Sequence, residues 1–258
     1  MIFIISPAKQ MTQSHDMFEC SGLPGFMEKT YQVYESLQQM SNTELKTLWK
    51  CSDSIAETNI ERIRHMDLEH DTRCAVMSYV GIQYQHLAAH VMDQDQLDYL
   101  QTHLFIVSGL YGLVRPFEGV VPYRLEMQSK LSVAGSRNLY DFWSESLAQA
   151  IAKSLDSQSD EECVLINIAS AEYAKAVVPA CVKNHGIRVV TCLFKTLEHN
   201  KLTQRSTEAK IARGTFMNWC ATRAVQKIED LKAFNELGYA FCSELSDDET
   251  IVFVREKQ

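Results

Sequence analysis

The sequence predicts a mixed α/β protein, built as a single domain over residues 1–258 with a mixed β-sheet covered by helices on both faces. Short, nearly all-apolar runs such as Ile2-Phe3-Ile4-Ile5 and Leu104-Phe105-Ile106-Val107 read as strands buried on both sides. Segments with helical spacing of apolar residues alternate with these runs, most regularly in the second half. At 258 residues, with 46% hydrophobic and 22% charged, the chain has the composition of an ordinary globular protein with one large core.

The elements follow in order. Residues 2–5 form the first strand, ending at Ser6-Pro7-Ala8-Lys9. Residues 24–40 read as a helix, with Phe26, Thr30, Val33, Leu37 and Met40 on one face. Ser41 and Glu44 make a capping-box pattern opening a short helix that carries Leu45, Leu48 and Trp49. A third helix spans 53–66, and 74–80 reads as a strand stopped by Gly81. Asp93 caps an acidic helix over 93–103 that leads into the strand at Leu104. Residues 139–155 form an amphipathic helix and 157–162 a solvated loop. A buried strand over 163–169 turns at Ser170 into a helix over 171–177, stopped by Pro179. Another buried strand spans 187–194 and a helix 210–227, and 238–241 and 251–254 read as paired strands.

Several functional classes are disfavoured. No apolar run is long enough to span a bilayer, and the N-terminus lacks a signal-peptide pattern, which points to the cytoplasm. The eight cysteines include no Cys-x-x-Cys pair and several sit in apolar runs, Cys163 and Cys192 among them. Reduced, buried thiols are expected rather than a disulfide framework or zinc site. A net charge of −8 argues against nucleic-acid binding over the whole surface, so any such site would be a local basic cleft. Neither a Gly-x-x-x-x-Gly-Lys phosphate loop nor a Gly-x-Ser-x-Gly nucleophile turn occurs. His86 and His90 lie four apart on a possible helix, but no third ligand is evident, and no metal or cofactor is expected.

Polar residues concentrate where strands end. The stretch Ser108-Gly109-Leu110-Tyr111-Gly112-Leu113-Val114-Arg115-Pro116 follows one strand, and Tyr123-Arg124-Leu125-Glu126-Met127 comes soon after. Glycines there allow close backbone approach, and arginines offer planar forks for phosphate or carboxylate. A tight turn with surface ion pairs would use the same residues. Arg124 and Glu126 fall two apart on an expected strand, so both point to the same face and either pair or leave Arg124 held for an anion. The strand at 163–169 leads to Ser170, an N-cap position, with Glu172 and Lys175 three apart behind it and Tyr173 between them. The remaining clusters are Ser6 to Lys9, and Lys210 with Arg213. If these ends meet at one sheet edge, they make a single pocket.

Taken together, the motifs Ile4-Ile5-Ser6-Pro7-Ala8-Lys9, Ser108-Gly109-Leu110-Tyr111-Gly112, Pro122-Tyr123-Arg124-Leu125-Glu126-Met127, Leu139-Tyr140-Asp141-Phe142-Trp143, Asn167-Ile168-Ala169-Ser170-Ala171-Glu172-Tyr173 and Ala212-Arg213-Gly214 resemble the YaaA family in order and spacing, over nearly the whole chain. The resemblance implies a bacterial cytosolic protein of the peroxide-stress response, associated with lowering free iron and limiting damage to DNA. It also implies a single α/β domain with a helix-hairpin-helix element and a positive cleft that binds DNA, including bent or branched duplexes. No reaction is implied. Three cationic positions of the family pattern are occupied here by Val80, Ile211 and Asn218, and an acidic one by Ile82.

Two functional readings follow. In the first, a monomer binds DNA weakly and without sequence preference through Lys9, Arg115, Arg124, Lys175, Lys210 and Arg213. In the second, the same cleft holds a small phosphorylated or nucleotide-like ligand, as an enzyme or a sensor. Ser6, Tyr111, Tyr123, Ser170 and Tyr173 would complete the site, with Glu126 and Glu172 as candidate acid–base groups.

Overall fold

In the computed structural model, which describes residues 1–12, 18–158 and 162–256, the chain builds one large sheet around one hydrophobic core. Strand β1 is Ile2–Ile5 and β2 is Gln10–Met11, followed by helices α1 (Met27–Gln38), α2 (Asn42–Trp49) and α3 (Asp53–His65). Then come β3 (Arg73–Cys74), α4 (Ala75–Ser78), β4 (Tyr79–Val80), α5 (Ile82–Leu87) and α6 (Gln94–His103). The middle of the chain holds β5 (Leu104–Ser108), β6 (Gly112–Val114), β7 (Gly119–Val120), α7 (Leu139–Asp156) and β8 (Val164–Asn167). The last part holds α8 (Ala171–Ala174), α9 (Val178–His185), β9 (Arg188–Glu198), β10 (Lys201–Thr203), α10 (Ser206–Thr222), α11 (Ile228–Leu231), β11 (Ala240–Phe241) and β12 (Thr250–Glu256).

The main sheet runs β11-β12-β9-β8-β1-β5-β6, with β10 also paired to β9. Strands β12, β9, β8, β1 and β5 are mutually parallel, while β11, β10 and β6 are antiparallel to their neighbours. Phe3 and Ile4 point to opposite faces of the sheet, yet both are fully buried, so helices cover both sides. Helix α7 packs on β1 and β6, and α10 packs on β9, where Phe194 meets Phe216 with ring centroids 5.4 Å apart.

The expected strand at 74–80 resolves into β3, the single turn α4 and β4. An apolar run of that length does not distinguish strand from helix. Pro179 starts a helix instead of stopping one: it occupies the first turn of α9, where its missing N–H is harmless. The helix expected at 210–227 is displaced to Ser206–Thr222. Two of the three anticipated N-caps form; Ser41 and Glu44 bond reciprocally, as do Asp93 and Gln96, whereas the Ser170 side chain makes no capping bond. The strand expected at Arg124 and Glu126 does not form, since that segment has no ladder partner among the described residues. Cys163 is exposed, because its strand begins only at Val164. Of the loop expected at 157–162, residues 159–161 lie outside the described residues.

Candidate functional site

The chain leaves β1 for β5 on one side of it and later leaves β8 for β9 on the other. Adjacent parallel strands whose connections diverge open a crevice beyond their carboxyl ends. The register Ile4↔Asn167 brings the loops after β1 and β8 together at that edge. Ser170 N–H donates to Ser6 Oγ at 2.8 Å, and the two hydroxyls lie 3.2 Å apart. Ser170 therefore joins the two loops and does not cap α8, which is only one turn long.

A cleft of about 370 Å³ lies there, walled by Ser6 to Gln10, Val80 to Gln83, Arg124, Ser170, Glu172, Tyr173, Lys210 and Arg213. Its walls are clamped from behind. Ser6 O accepts hydrogen bonds from Gln83 Nε2 at 2.7 Å and from the Tyr84 hydroxyl at 3.0 Å, which ties the β1 loop to α5. Helix α10 in turn lies on α5 at a distance only glycine allows, since a Cβ on Gly214 would stand 2.1 Å from Gln83 O. That approach sets Arg213 at the cleft. On the other wall, a Cβ on Gly109 would stand 2.5 Å from Leu125 O, so the turn after β5 lets the Arg124 segment pass close by.

The charges are poorly balanced. Arg124 Nη2 and Lys9 Nζ share Glu126 Oε1 at 3.1 and 3.0 Å, leaving Arg124 Nε and Glu126 Oε2 buried without partners. The Arg124 and Glu126 side chains are 10% and 9% exposed, whereas Lys9 is 62% exposed. Arg213 is 9% exposed, its Nε has no acceptor, and no carboxylate pairs with it among the described residues. Burial pushes its pKa down, but a guanidinium stays protonated. Glu172 accepts from the Gln128 backbone N–H at 3.2 Å. Burial raises its carboxyl pKa, with Glu126 adding to the rise and Gln128 N–H and Lys9 opposing it. The Tyr173 hydroxyl is pushed well up by burial, so this phenol is a hydrogen-bond donor, not an anion. Such a cleft can seat an anion between two buried guanidiniums, with a carboxyl group alongside whose proton is held more tightly than usual.

Four of the sequence-selected residues stand elsewhere. Arg115 is withdrawn: its guanidinium stacks 3.7 Å from the centre of the Phe105 ring and donates to Thr102 O at 2.7 Å and Ser154 Oγ at 2.6 Å. Tyr111 is fully buried, and its hydroxyl accepts from Val121 N–H at 3.1 Å. The Tyr123 hydroxyl is locked between Ser108 Oγ at 2.6 Å and the Tyr79 hydroxyl at 2.9 Å. Lys175 does not meet Glu172; it lies 4.6 Å from the Tyr140 ring centre. His86 and His90 do not share a helix, because Ala88 turns left-handed (φ 53°) between them. Conversely, Gln83 and Tyr84 carry no motif of their own in the sequence, where their segment stands out only by Val80 and Ile82. Val80 and Ile82 do line the cleft, whereas Asn218 bonds Leu87 O at 2.9 Å, away from it.

Among the described residues no helix is long and apolar enough to cross a membrane, and no three His, Cys, Asp or Glu residues gather as a metal site. A family profile described as "Peroxide stress protein YaaA" matches residues 1–245. A UPF0246 protein of Pediococcus pentosaceus is 40% identical over 255 residues, covering 99% of this chain and 98% of its own. A UPF0246 protein of Desulfitobacterium hafniense is 39% identical with coverage of 99% and 98%, and one of Lactiplantibacillus plantarum is 36% identical with coverage of 98% and 99%. The chain belongs to the YaaA peroxide stress protein family.

Proposed function

We propose that this peroxide-stress protein acts by holding the phosphate of a small phosphorylated or nucleotide-like ligand between Arg124 and Arg213. The observation that carries this reading is Arg213, a nearly buried guanidinium without a counter-charge, facing a cleft of about 370 Å³. Buried charges without partners are unfavourable, and an arriving phosphate would satisfy the fork bidentately. Lys9 and Lys210 stand at the mouth to attract the anion, and Glu172 is positioned to exchange a proton with it. A rigid duplex cannot press its phosphates onto side chains that are only 9–10% exposed.

DNA binding is the second reading, and one feature favours it. Helices α2 and α3 pack together across the short turn at 50–52 and could serve as the helix-hairpin-helix element. Lys50 of that turn and Lys130 border a neighbouring cavity of about 550 Å³ that shares Lys9 with the cleft. On this reading DNA binding would stand beside the lowering of free iron that the family resemblance implies.

Binding of inorganic phosphate, a nucleoside monophosphate and duplex DNA, compared between the natural protein and Arg213→Met, separates the readings. The first predicts that the small anions bind and that Arg213→Met abolishes this. Duplex binding that survives Arg213→Met, with no response to the small anions, would overturn it in favour of the second.

A further inference from the structure

Cys20 and Cys74 are far apart in the chain, yet their sulfurs stand 3.8 Å apart. Three neighbouring segments hold them. Ser21 N–H donates to Phe117 O at 2.7 Å and Gly119 N–H to Gly22 O at 2.8 Å, which fixes the 20–22 segment along 117–119. Gly119 is also the register partner of Cys74 in the β3–β7 ladder. A Cβ on Gly119 would stand 3.4 Å from Cys20 Sγ and 2.5 Å from Thr72 Oγ1, so glycine keeps space free beside the thiols. Cys74 is fully buried, with Phe18 O and Glu19 O at 3.6 and 3.5 Å from its sulfur, whereas Cys20 is partly open to solvent.

We propose that Cys20 and Cys74 form a peroxide-oxidisable dithiol that closes to a disulfide. The oxidant is hydrogen peroxide. The Cys20 thiolate attacks one peroxide oxygen and the O–O bond breaks; hydroxide leaves and takes up a proton as water, giving Cys20 sulfenic acid. The Cys74 sulfur then attacks Cys20 Sγ, its S–H bond and the S–OH bond break, and a second water leaves with the S–S bond formed. In sum, two thiols and one peroxide give one disulfide and two waters. The sulfurs must close from 3.8 Å to about 2.05 Å, within reach of side-chain rotation and a small shift of the 18–22 segment. Cys20 is the entry point because peroxide reaches it first, and the buried Cys74 resolves the sulfenic acid before further oxidation.

The remaining cysteines supply contrast. Burial raises the thiol pKa of Cys181, Cys192 and Cys220, which keeps them protonated and unreactive. Cys163 is exposed and reports how far a solvent-open thiol is oxidised under the same conditions. The cross-link would also bear on the cleft. Cys74 leads through α4 to Val80, which lines it and pairs with Gln10.

The test is peptide mapping of the reduced, full-length protein after graded hydrogen peroxide, with alkylation of remaining thiols and mass spectrometry. The expected result is a linked pair of peptides containing Cys20 and Cys74, lighter by two hydrogens and restored by dithiothreitol, with one peroxide consumed per chain. Cys20→Ser should abolish the link and leave Cys74 a thiol while the circular dichroism spectrum stays unchanged. If that variant does not fold, the map of the natural protein decides alone. Oxidation of Cys20 to sulfinic or sulfonic acid with Cys74 still reduced would overturn the proposal. So would linkage to a different cysteine, or two intact thiols at doses that oxidise Cys163.

Discussion

Replacing Arg213 by methionine should raise the stability of the ligand-free protein and remove its affinity for anions. Methionine keeps much of the unbranched aliphatic stem and loses the charged fork. Arg213 is 9% exposed and its Nε lacks an acceptor, so the natural protein bears a desolvation penalty there with no carboxylate to offset it. Exchanging buried charged groups for apolar ones of similar volume stabilises proteins by about 1–4 kcal/mol in favourable cases. At roughly 2–4 °C per kcal/mol for a chain of this size, the melting temperature should rise by several degrees. The bound state behaves oppositely. Phosphate at a hundred times its Kd should stabilise the natural protein by about 2.7 kcal/mol and the variant hardly at all. Differential scanning fluorimetry across a phosphate series, backed by urea denaturation, reads both quantities on one pair of samples. A variant that melts lower without phosphate and shows an undiminished phosphate shift would refute the reasoning, because Arg213 would then be a structural residue.

Three further outcomes are expected. Gly214→Ala, whose Cβ would stand 2.1 Å from Gln83 O, should force α10 off α5, cost about 1–3 kcal/mol or more by overpacking, and weaken phosphate binding; an unchanged urea midpoint would contradict this. Arg115→Met should lower stability through loss of its bonds to Thr102 O and Ser154 Oγ while leaving phosphate affinity per folded molecule unchanged, and titration calorimetry with a melting curve would check both. The Glu172 carboxyl has a raised folded-state pKa, through burial first, so its contribution to stability is present at acid pH and fades as pH rises from the unfolded carboxylate value through the folded one. Glu172→Gln should therefore gain stability relative to the natural protein across that window, and parallel urea midpoints from pH 4 to pH 8 would contradict the assignment.

The strands of the sheet centre were legible because burial on both faces leaves runs such as Ile2-Phe3-Ile4-Ile5 with no polar residue to misread. The helices with capping boxes were legible from local chemistry that packing did not override. The region 74–80 was not, since a four-residue apolar stretch carries no period, and pairing of Arg73-Cys74 with Gly119-Val120 decided its shape. At the site, residues immediately after β1 and β8 and at Arg213 were found from abrupt changes in polarity. Arg115 and Tyr111 share that signature, but antiparallel β6 carries Arg115 away from the carboxyl edge, and Tyr111, in the turn itself, is fully buried with its hydroxyl on Val121 N–H. Sequence separates a cation at a strand end from one beside it only when the strand order is known. Gln83 and Tyr84 stayed hidden because each contributes through one hydrogen bond to a backbone carbonyl, Ser6 O, which no motif announces.

Diffraction from crystals soaked in selenate, a tetrahedral anion with an anomalous signal, tests the central claim most directly. Two buried guanidiniums facing one cleft predict a selenium peak with its oxygens within hydrogen-bond distance of both Arg124 and Arg213, and no such peak in Arg213→Met crystals. A cleft holding only water at saturating selenate, with anomalous peaks confined to exposed lysines, would contradict it.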